Sequence, residues 1–444
     1  MLEHLPLIVF LVTFVLIFVL RMPIPAGMIA ACTLYFLTDG LIKGVGFGAL
    51  ITGAGGSLHL VAQKTIEAIF TNGTIVAVPL FIFAANVMNA GKITEYVFGT
   101  CMGLVGRFRG GLAHVNVLAS LVFSGMTGSA IADASGLGKL EIDAMRKEGY
   151  DDGFSCAITA ASATIGPIFP PSIPMVVYAM LTGASVGALF MAGMVPGVLL
   201  AVALCVYVYF VAKKRNYPRT APPKLRDYLL YLTKSIWAML TPVILLVGIY
   251  TGIMTPTEAA AIAAFYGLIV GLFLYKEMDF KCLINSCIES CETSAVIIVL
   301  MAMATLFGNI MTIEDVPGTV ARAILSFSEN KIVILMLINV LLLIVGTFME
   351  ALAAIVILVP ILLPIVTGVG VSPLHFGVII VVNLAIGFIT PPVGVNLFVA
   401  SGVAKAKLEN IASQALPMIA LMLIVLLICT YIPEVPLILV GGPH

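Results

Sequence analysis

Residues 165–179 read IGPIFPPSIPMVVYA, and residues 386–400 read IGFITPPVGVNLFVA. Ile165, Gly166, Ile168, Pro170, Pro171 and Ala179 recur as Ile386, Gly387, Ile389, Pro391, Pro392 and Ala400. All six stand at one offset of 221 residues, close to half the 444-residue chain. Both segments are apolar, so each reads as a membrane helix broken near its middle by two prolines. Matched Pro/Gly interruptions in the two halves of a chain point to a duplicated carrier with its site near the bilayer midplane. Weaker echoes extend the duplication: Ala85-Asn86-Val87-Met88 against Gly308-Asn309-Ile310-Met311, and Pro25 against Pro256.

Composition agrees. The chain is 61% hydrophobic and 10% charged, with mean hydropathy +1.16, whereas a soluble domain carries about 25% charged residues. The lipid bilayer is therefore its solvent, and the expected class is an all-α polytopic membrane protein. Lys+Arg and Asp+Glu both number 22, so no basic surplus suggests nucleic acid. Apolar stretches long enough to cross hydrocarbon lie near 5–20, 24–40, 74–91, 188–212, 236–252, 257–275, 293–311 and 411–432. Residues 6–20 resemble the apolar core of a signal peptide, but no A-x-A site follows, so they read as a retained first helix. The 8 cysteines lie in apolar or membrane-flanking segments and read as small packing residues.

Two further segments are too long for one crossing and are interrupted by glycine near their centres. They span about 111–138, broken at Ser124-Gly125-Met126-Thr127-Gly128, and about 332–366, broken at Gly346-Thr347. Each reads as a re-entrant hairpin, a form tolerated at depth only where it is buried in protein or lines a cavity. The broken helices then span about 153–185 and 371–402. The polar stretch 213–234 holds the densest basic cluster, Lys213, Lys214, Arg215, Arg219, Lys224, Arg226 and Lys234. Cytoplasmic loops carry such an excess, so this stretch reads as a cytoplasmic linker between repeats at 1–212 and 235–444. Counting spans outward gives the halves opposite orientations, an inverted repeat. The first hairpin then opens to the cytoplasm and the second to the outside. Segments 43–68 and 279–292 mix charged and apolar residues and read as interfacial arm helices or as ordinary loops.

The chemistry concentrates at the interruptions. A proline lacks the N–H that would bond the carbonyl four residues earlier. Pro170 and Pro171 would free the carbonyls of Gly166 and Pro167, and Pro391 and Pro392 those of Gly387 and Phe388. A sodium ion would satisfy such oxygens, with Ser172 and Thr164 adding side-chain oxygens at the first break and Thr390, Asn383 and Asn396 at the second. The alternative is a pair of structural kinks patched by hydroxyls and water. In the first hairpin, Gly125 and Gly128 allow a tight turn, and Thr127 or Ser129 can cap the helix that follows. Asp133 lies within an apolar stretch, where a carboxylate costs at least about 2.5–3.5 kcal/mol. A cation bound with Thr127 and Ser129 would offset that cost. Alternatively, the free N–H groups of the turn would receive a substrate carboxylate, or Asp133 would pair locally with Lys139. In the second hairpin, Thr347-x-x-Glu350 fits a capping box, and ion-coupled gating is the other reading of Glu350. No Gly-x-x-x-x-Gly-Lys-Ser/Thr loop or His-Glu-x-x-His motif is present. Gly53-Ala54-Gly55-Gly56-Ser57 reads as a turn.

Thr127-Gly-Ser129-Ala-Ile-Ala-Asp133, Ile165-Gly-Pro-Ile-Phe-Pro-Pro-Ser172, Thr255-Pro-Thr-Glu258-Ala-Ala, Gly346-Thr-Phe-Met-Glu350 and Ile389-Thr-Pro-Pro-Val-Gly-Val-Asn396 together resemble one family over nearly the whole chain. It is the large membrane (M) subunit of the tripartite ATP-independent periplasmic (TRAP) transporters. The resemblance implies an elevator, in which a transport domain of both hairpins and both broken helices slides against a scaffold in the bacterial inner membrane. It also implies Na⁺ at the hairpin tips and breaks, involving Thr127, Ser129, Asp133, Gly166, Gly346, Glu350, Gly387, Thr390 and Asn396. Substrate contacts are expected at Gly125, Gly128, Ser172 and Asn383. Many members carry Ser where Thr127 stands and Asp where Glu350 stands. The implied partners are a small four-helix membrane Q subunit and a periplasmic P subunit that delivers an organic or sugar acid. No Q-like segment precedes residue 1, so a separate Q subunit is expected. The expected function is Na⁺-coupled uptake of a carboxylate. A standalone Na⁺- or H⁺-coupled carrier working without a binding protein is the alternative, and an intramembrane enzyme a remote one.

Overall fold

Proline, glycine and short polar residues set most of the helix ends in the computed structural model, which describes residues 5–19, 22–43, 57–71, 73–89, 93–220, 224–276, 278–327 and 330–441. The helices α1 (Leu5–Val19), α2 (Ile24–Ile42), α3 (Ser57–Thr71), α4 (Ala77–Asn89) and α5 (Ile93–Val105) lead to the first hairpin, α6 (Gly111–Thr127) and α7 (Ala130–Lys147). The first broken helix follows as α8 (Asp152–Ala163) and α9 (Ile173–Thr182), and then comes α10 (Val186–Arg215). The second half repeats this order with α11 (Leu225–Tyr250), α12 (Pro256–Ile269), α13 (Phe280–Ile313) and α14 (Val316–Phe327). Its hairpin is α15 (Lys331–Phe348) and α16 (Ala351–Gly368), and its broken helix is α17 (Pro373–Gly387) and α18 (Val395–Ala404). The chain ends with α19 (Leu408–Tyr431) and the short α20 (Glu434–Leu437). Side-chain caps at Asp151, Ser172, Ser185, Asp279 and Ser372 start five helices, and a full capping box at Thr255 and Glu258 starts α12. Among the described residues there are 8 helices long and apolar enough to cross a membrane.

Four boundaries differ from the sequence reading. The second limb of the first hairpin runs to Lys147 rather than 138, because Leu137, Ile142 and Met145 continue its buried face while Lys139, Asp143 and Lys147 lie exposed. The basic stretch 213–234 is largely helical: α10 continues through Arg215 and α11 begins at Leu225. The arm at 279–292 is continuous with the span after it, a 34-residue helix, since no proline or glycine interrupts Glu289–Ala295. The stretch read as 74–91 forms an α-helix only over Ala77–Asn89, and α5 follows it at 72°. Of the glycine turn at 53–57, only Ser57, the first residue of α3, is described. All eight cysteines are unpaired.

The two repeats interlock. Within each, the hairpin packs on its own incoming half-helix: α6 and α7 on α8, α15 and α16 on α17. The outgoing half-helices cross over, so that α18 packs on α7 and α9 on α16. The crossing is tied at both ends. Arg146, near the end of α7, donates to the Ala404 carbonyl at 2.6 Å and grips Asp152 through Nε at 2.6 Å and Nη2 at 3.1 Å. At the other end, Tyr178 of α9 donates to the Pro373 carbonyl at the start of α17 at 2.6 Å. The broken helices form the centre, with Gly153 to Ala163 of α8 and His375 to Gly387 of α17 all buried.

Inside this dry centre an asparagine joins each hairpin to its half-helix. Asn116 donates to Thr159 Oγ1 at 2.6 Å and accepts from Ser162 Oγ at 2.7 Å, and Ser120 Oγ donates to Ser162 Oγ at 3.1 Å. In the other repeat Asn383 donates to Asn339 Oδ1 at 2.8 Å, and Asn339 donates to Thr430 Oγ1 at 3.1 Å. Removing one partner strands the rest, at about 1–3 kcal/mol per buried unsatisfied group. Asn116→Ala is therefore expected to lower the thermal midpoint of the purified protein by several degrees. An unchanged midpoint would mean that this network does not tie the hairpin down.

Candidate site at the hairpin tips and helix breaks

Each hairpin turns on a glycine or an extended residue and presents its tip to a break. Gly128 ends α6 in a left-handed conformation (φ 61°), which glycine adopts without steric cost. A Cβ there would lie 2.4 Å from the Pro171 carbonyl oxygen, and one on Gly166 would lie 3.0 Å from the Ser129 carbonyl carbon. The first tip therefore touches the first break by backbone. The second pair meets in the same way: a Cβ on Gly387 would lie 2.6 Å from the Gly346 carbonyl carbon, and Gly394 N donates to the Thr347 carbonyl at 3.2 Å. Gly125 and Gly346, and Ser129 and Glu350, stand at the same 221-residue offset as the breaks. Ser129 and Glu350 are both N-caps, of α7 and α16.

Ser129 Oγ accepts from Ala132 N at 3.4 Å, while Glu350 makes no side-chain cap bond. The capping box expected at Thr347 and Glu350 does not form. Glu350 is itself the cap residue, and Thr347 Oγ1 turns back to donate to the Ile344 carbonyl at 2.7 Å. Thr127 Oγ1 donates to the Phe123 carbonyl at 3.4 Å. Three of the carbonyls freed by proline find donors. Gly387 accepts from Thr390 N and Phe388 from Asn396 N, each at 3.0 Å, and Pro167 accepts from Ser172 Oγ. A carbonyl has two lone pairs, so each keeps one.

Four buried oxygens among the sequence-predicted site residues lack any donor: both carboxylate oxygens of Asp133, and the amide oxygens of Asn383 and Asn396. Asp133 is 1% exposed and forms no ion pair among the described residues. A buried carboxylate and orphan amide oxygens beside backbone carbonyls are the donor set a hard monovalent cation requires, so Na⁺ fits these residues. Thr390 Oγ1 donates to the Ile386 carbonyl at 2.8 Å, which leaves its lone pairs free.

The structure regroups the candidates. Asn396 lies just after the second break in sequence, yet its Nδ2 donates to the Ala160 carbonyl of α8 in the first repeat at 3.3 Å. Helices α7 and α18 pack together and are tied at their C-terminal ends by Arg146 and Ala404, so Asn396, eight residues or about 12 Å before Ala404, stands level with the middle of α7, the helix that carries Asp133. Asn383 is held in the contact between α15 and α17, bonded to Asn339. Ser172 caps α9, accepting from Met175 N at 3.2 Å.

A cavity of about 90 Å³ joins these parts. Its wall includes Gly128 and Ser129 from the first tip, Glu350 and Ala351 from the second, Pro167 and Phe388 from the breaks, and Ile173 from the start of α9. Three helix N-termini, those of α7, α9 and α16, therefore open on one space, where their unpaired N–H groups and dipoles favour an anion. The opposite wall is Thr293 and Ile297 of α13. Sequence reasoning did not single out Thr293, whose only local mark is one hydroxyl in an apolar helix. It also missed Glu141, 1% exposed in α7 with both oxygens lacking a partner, because the reading ended that helix before it.

Two hairpins meeting two mid-helix breaks, each helix half shared between repeats, define a multi-pass membrane protein of the inverted-repeat transporter class. The profile described as "Tripartite ATP-independent periplasmic transporter, DctM component" matches residues 10–435, and the chain belongs to this family, as a multi-pass protein of the bacterial inner membrane. It is 51% identical over 402 residues to the isethionate TRAP transporter permease protein DctMQ of Oleidesulfovibrio alaskensis, matching 90% of this chain and 63% of that relative. It is 42% identical over 382 residues to the sialic acid TRAP transporter large permease protein SiaM of Vibrio cholerae (86% and 89% covered). It is 40% identical over 366 residues to the C4-dicarboxylate TRAP transporter large permease protein DctM of Pseudomonas aeruginosa (82% and 86% covered). The fold is similar to that of the YdaH transporter of Alcanivorax borkumensis, with a TM-score of 0.63 at 16% identity over 87% of this chain and 90% of that one. These relatives are named as permeases and transporters, not enzymes.

Proposed function

We propose that this chain is the large permease of a sodium-coupled uptake system for a small organic anion, a carboxylate or its sulfonate analogue. The observation that carries this reading is the single cavity where three helix N-termini converge beside orphan buried oxygens. The N-termini would hold the anion, while Asp133, Asn396, Thr390 and the carbonyls of Gly166, Gly346 and Gly387 would hold Na⁺. Glu350, a carboxylate on the same cavity wall, would repel the anion unless a cation lies beside it, which makes anion binding depend on the ion. The names of the relatives, isethionate, sialic acid and C4-dicarboxylate, support a small organic acid. A membrane potential supplies about 2.3 kcal/mol per charge per 100 mV, so two or more sodium ions outweigh the charge on a monoanion.

The cavity lies between the hairpin tips and α13, the arrangement an elevator requires if the hairpins and broken helices slide as a unit. A small Q subunit would brace the scaffold, and a periplasmic P subunit would deliver the substrate. A thermal-shift screen of the cognate P subunit against organic acids identifies the ligand. Uptake of that ligand into proteoliposomes holding this chain and Q is then expected only when P is added. Equal uptake without P would favour a standalone carrier.

A further inference from the structure

Helix α7 buries two acids at four-residue steps, Asp133 and Glu141 with Leu137 between them. Asp133 belongs to the cation site proposed above, whereas Glu141 lies eight residues further on, about 12 Å along the helix axis, and no role yet accounts for it. Glu141 is 1% exposed, and neither of its oxygens has a hydrogen-bond partner. The groups that face it are Thr159 from α8, Cys101 from α5 and Asp133 from its own helix. The Arg146 side chain is committed to Asp152 and to the Ala404 carbonyl. Helix α18, also packed on α7, carries no ionisable residue from Val395 to Ala404.

A buried carboxylate must be paired, bound to a cation or neutralised by a proton. Among the described residues it has no ion pair. A cation needs several free oxygens, and the one hydroxyl that faces Glu141, that of Thr159, already accepts a hydrogen bond. Asn116 donates to Thr159 Oγ1 at 2.6 Å, and its own oxygen accepts from Ser162 at 2.7 Å. The amide therefore turns its N–H side toward this end of the network, leaving Glu141 one hydroxyl and no cage.

We propose that Glu141 is a proton-binding site of the first hairpin, distinct from the cation site at its tip, and carries its proton as the neutral acid while the hairpin is packed. Near neutral pH the transport domain then carries one acid for a cation and one for a proton. Because the two carboxylates repel when both are charged, proton loading at Glu141 and cation binding at Asp133 are linked. Only that linkage rests on the sodium reading.

Infrared difference spectroscopy of the purified chain in lipid nanodiscs tests the site without a substrate or sodium. The wild type is expected to show the carbonyl stretch of a buried protonated carboxylic acid at neutral pH, fading as pH rises. Asp133, equally buried, adds its own component when no cation is bound, so Glu141→Gln should lose one component of this band and Asp133→Asn should keep that component. If Glu141→Gln is not recovered folded, Glu141→Asp serves instead, and the band should move rather than vanish. Superimposable spectra of wild type and Glu141 variant would overturn the proposal. Loss of the band in Asp133→Asn but not in the Glu141 variant would overturn it equally, by assigning the proton to Asp133.

Discussion

Asp133→Ala is expected to abolish sodium-dependent stabilisation of the purified protein while leaving its fold intact. Asp133 places a carboxylate in a dry interior with no hydrogen-bond donor on either oxygen. In sodium-free buffer, replacing it removes a buried group without a partner, so stability should hold or rise. The wild type should gain about 2.7 kcal/mol when sodium is raised to 100 times its dissociation constant, read as an upward shift of the melting midpoint against choline or potassium. The variant should lose most of that shift, with sodium affinity falling roughly 10–100-fold, or 1.4–2.8 kcal/mol. A full wild-type shift in Asp133→Ala would remove this residue from any ion site.

Gly387→Ala should be among the most damaging methyl additions at the hairpin tips and breaks. Its new carbon would lie 2.6, 2.7 and 2.9 Å from the carbonyl carbon, Cα and carbonyl oxygen of Gly346. All three are backbone atoms, so no side chain can rotate away, and the second hairpin tip must shift off its break. Overpacking of this kind costs about 1–3 kcal/mol, and here it also displaces Glu350 and the cap of α16 from the cavity wall. Both the melting midpoint and uptake should fall. Gly402→Ala is the control: nothing lies within 4 Å of its Cβ position, and alanine in a helix interior gains up to about 1 kcal/mol over glycine. Equal behaviour of the two variants would show that the tip does not rest on the break.

The breaks and hairpins were legible because proline and glycine act locally. Pro170-Pro171 and Pro391-Pro392 interrupt their helices wherever they stand, and Gly128 must turn. The interlocking of the repeats was not legible. Asn396 follows the second break by four residues, but its side chain serves the first repeat, bonding Ala160 across 236 positions of sequence. No local pattern records such a contact. Glu350 shows the complementary failure: Thr347-x-x-Glu350 has the spacing of a capping box, yet the turn makes Glu350 the cap, three positions from where the motif places it. Glu141 was missed because the sequence reading ended the hairpin at about 138, whereas the helix continues and buries it.

The most direct test of the sodium-coupled reading is uptake of the screened ligand by proteoliposomes containing this chain with the proposed Q and P partners, with and without an inward sodium gradient at matched ionic strength. Uptake above equilibrium is predicted with the sodium gradient, and none when choline replaces sodium. Equal accumulation in the two conditions would contradict sodium coupling.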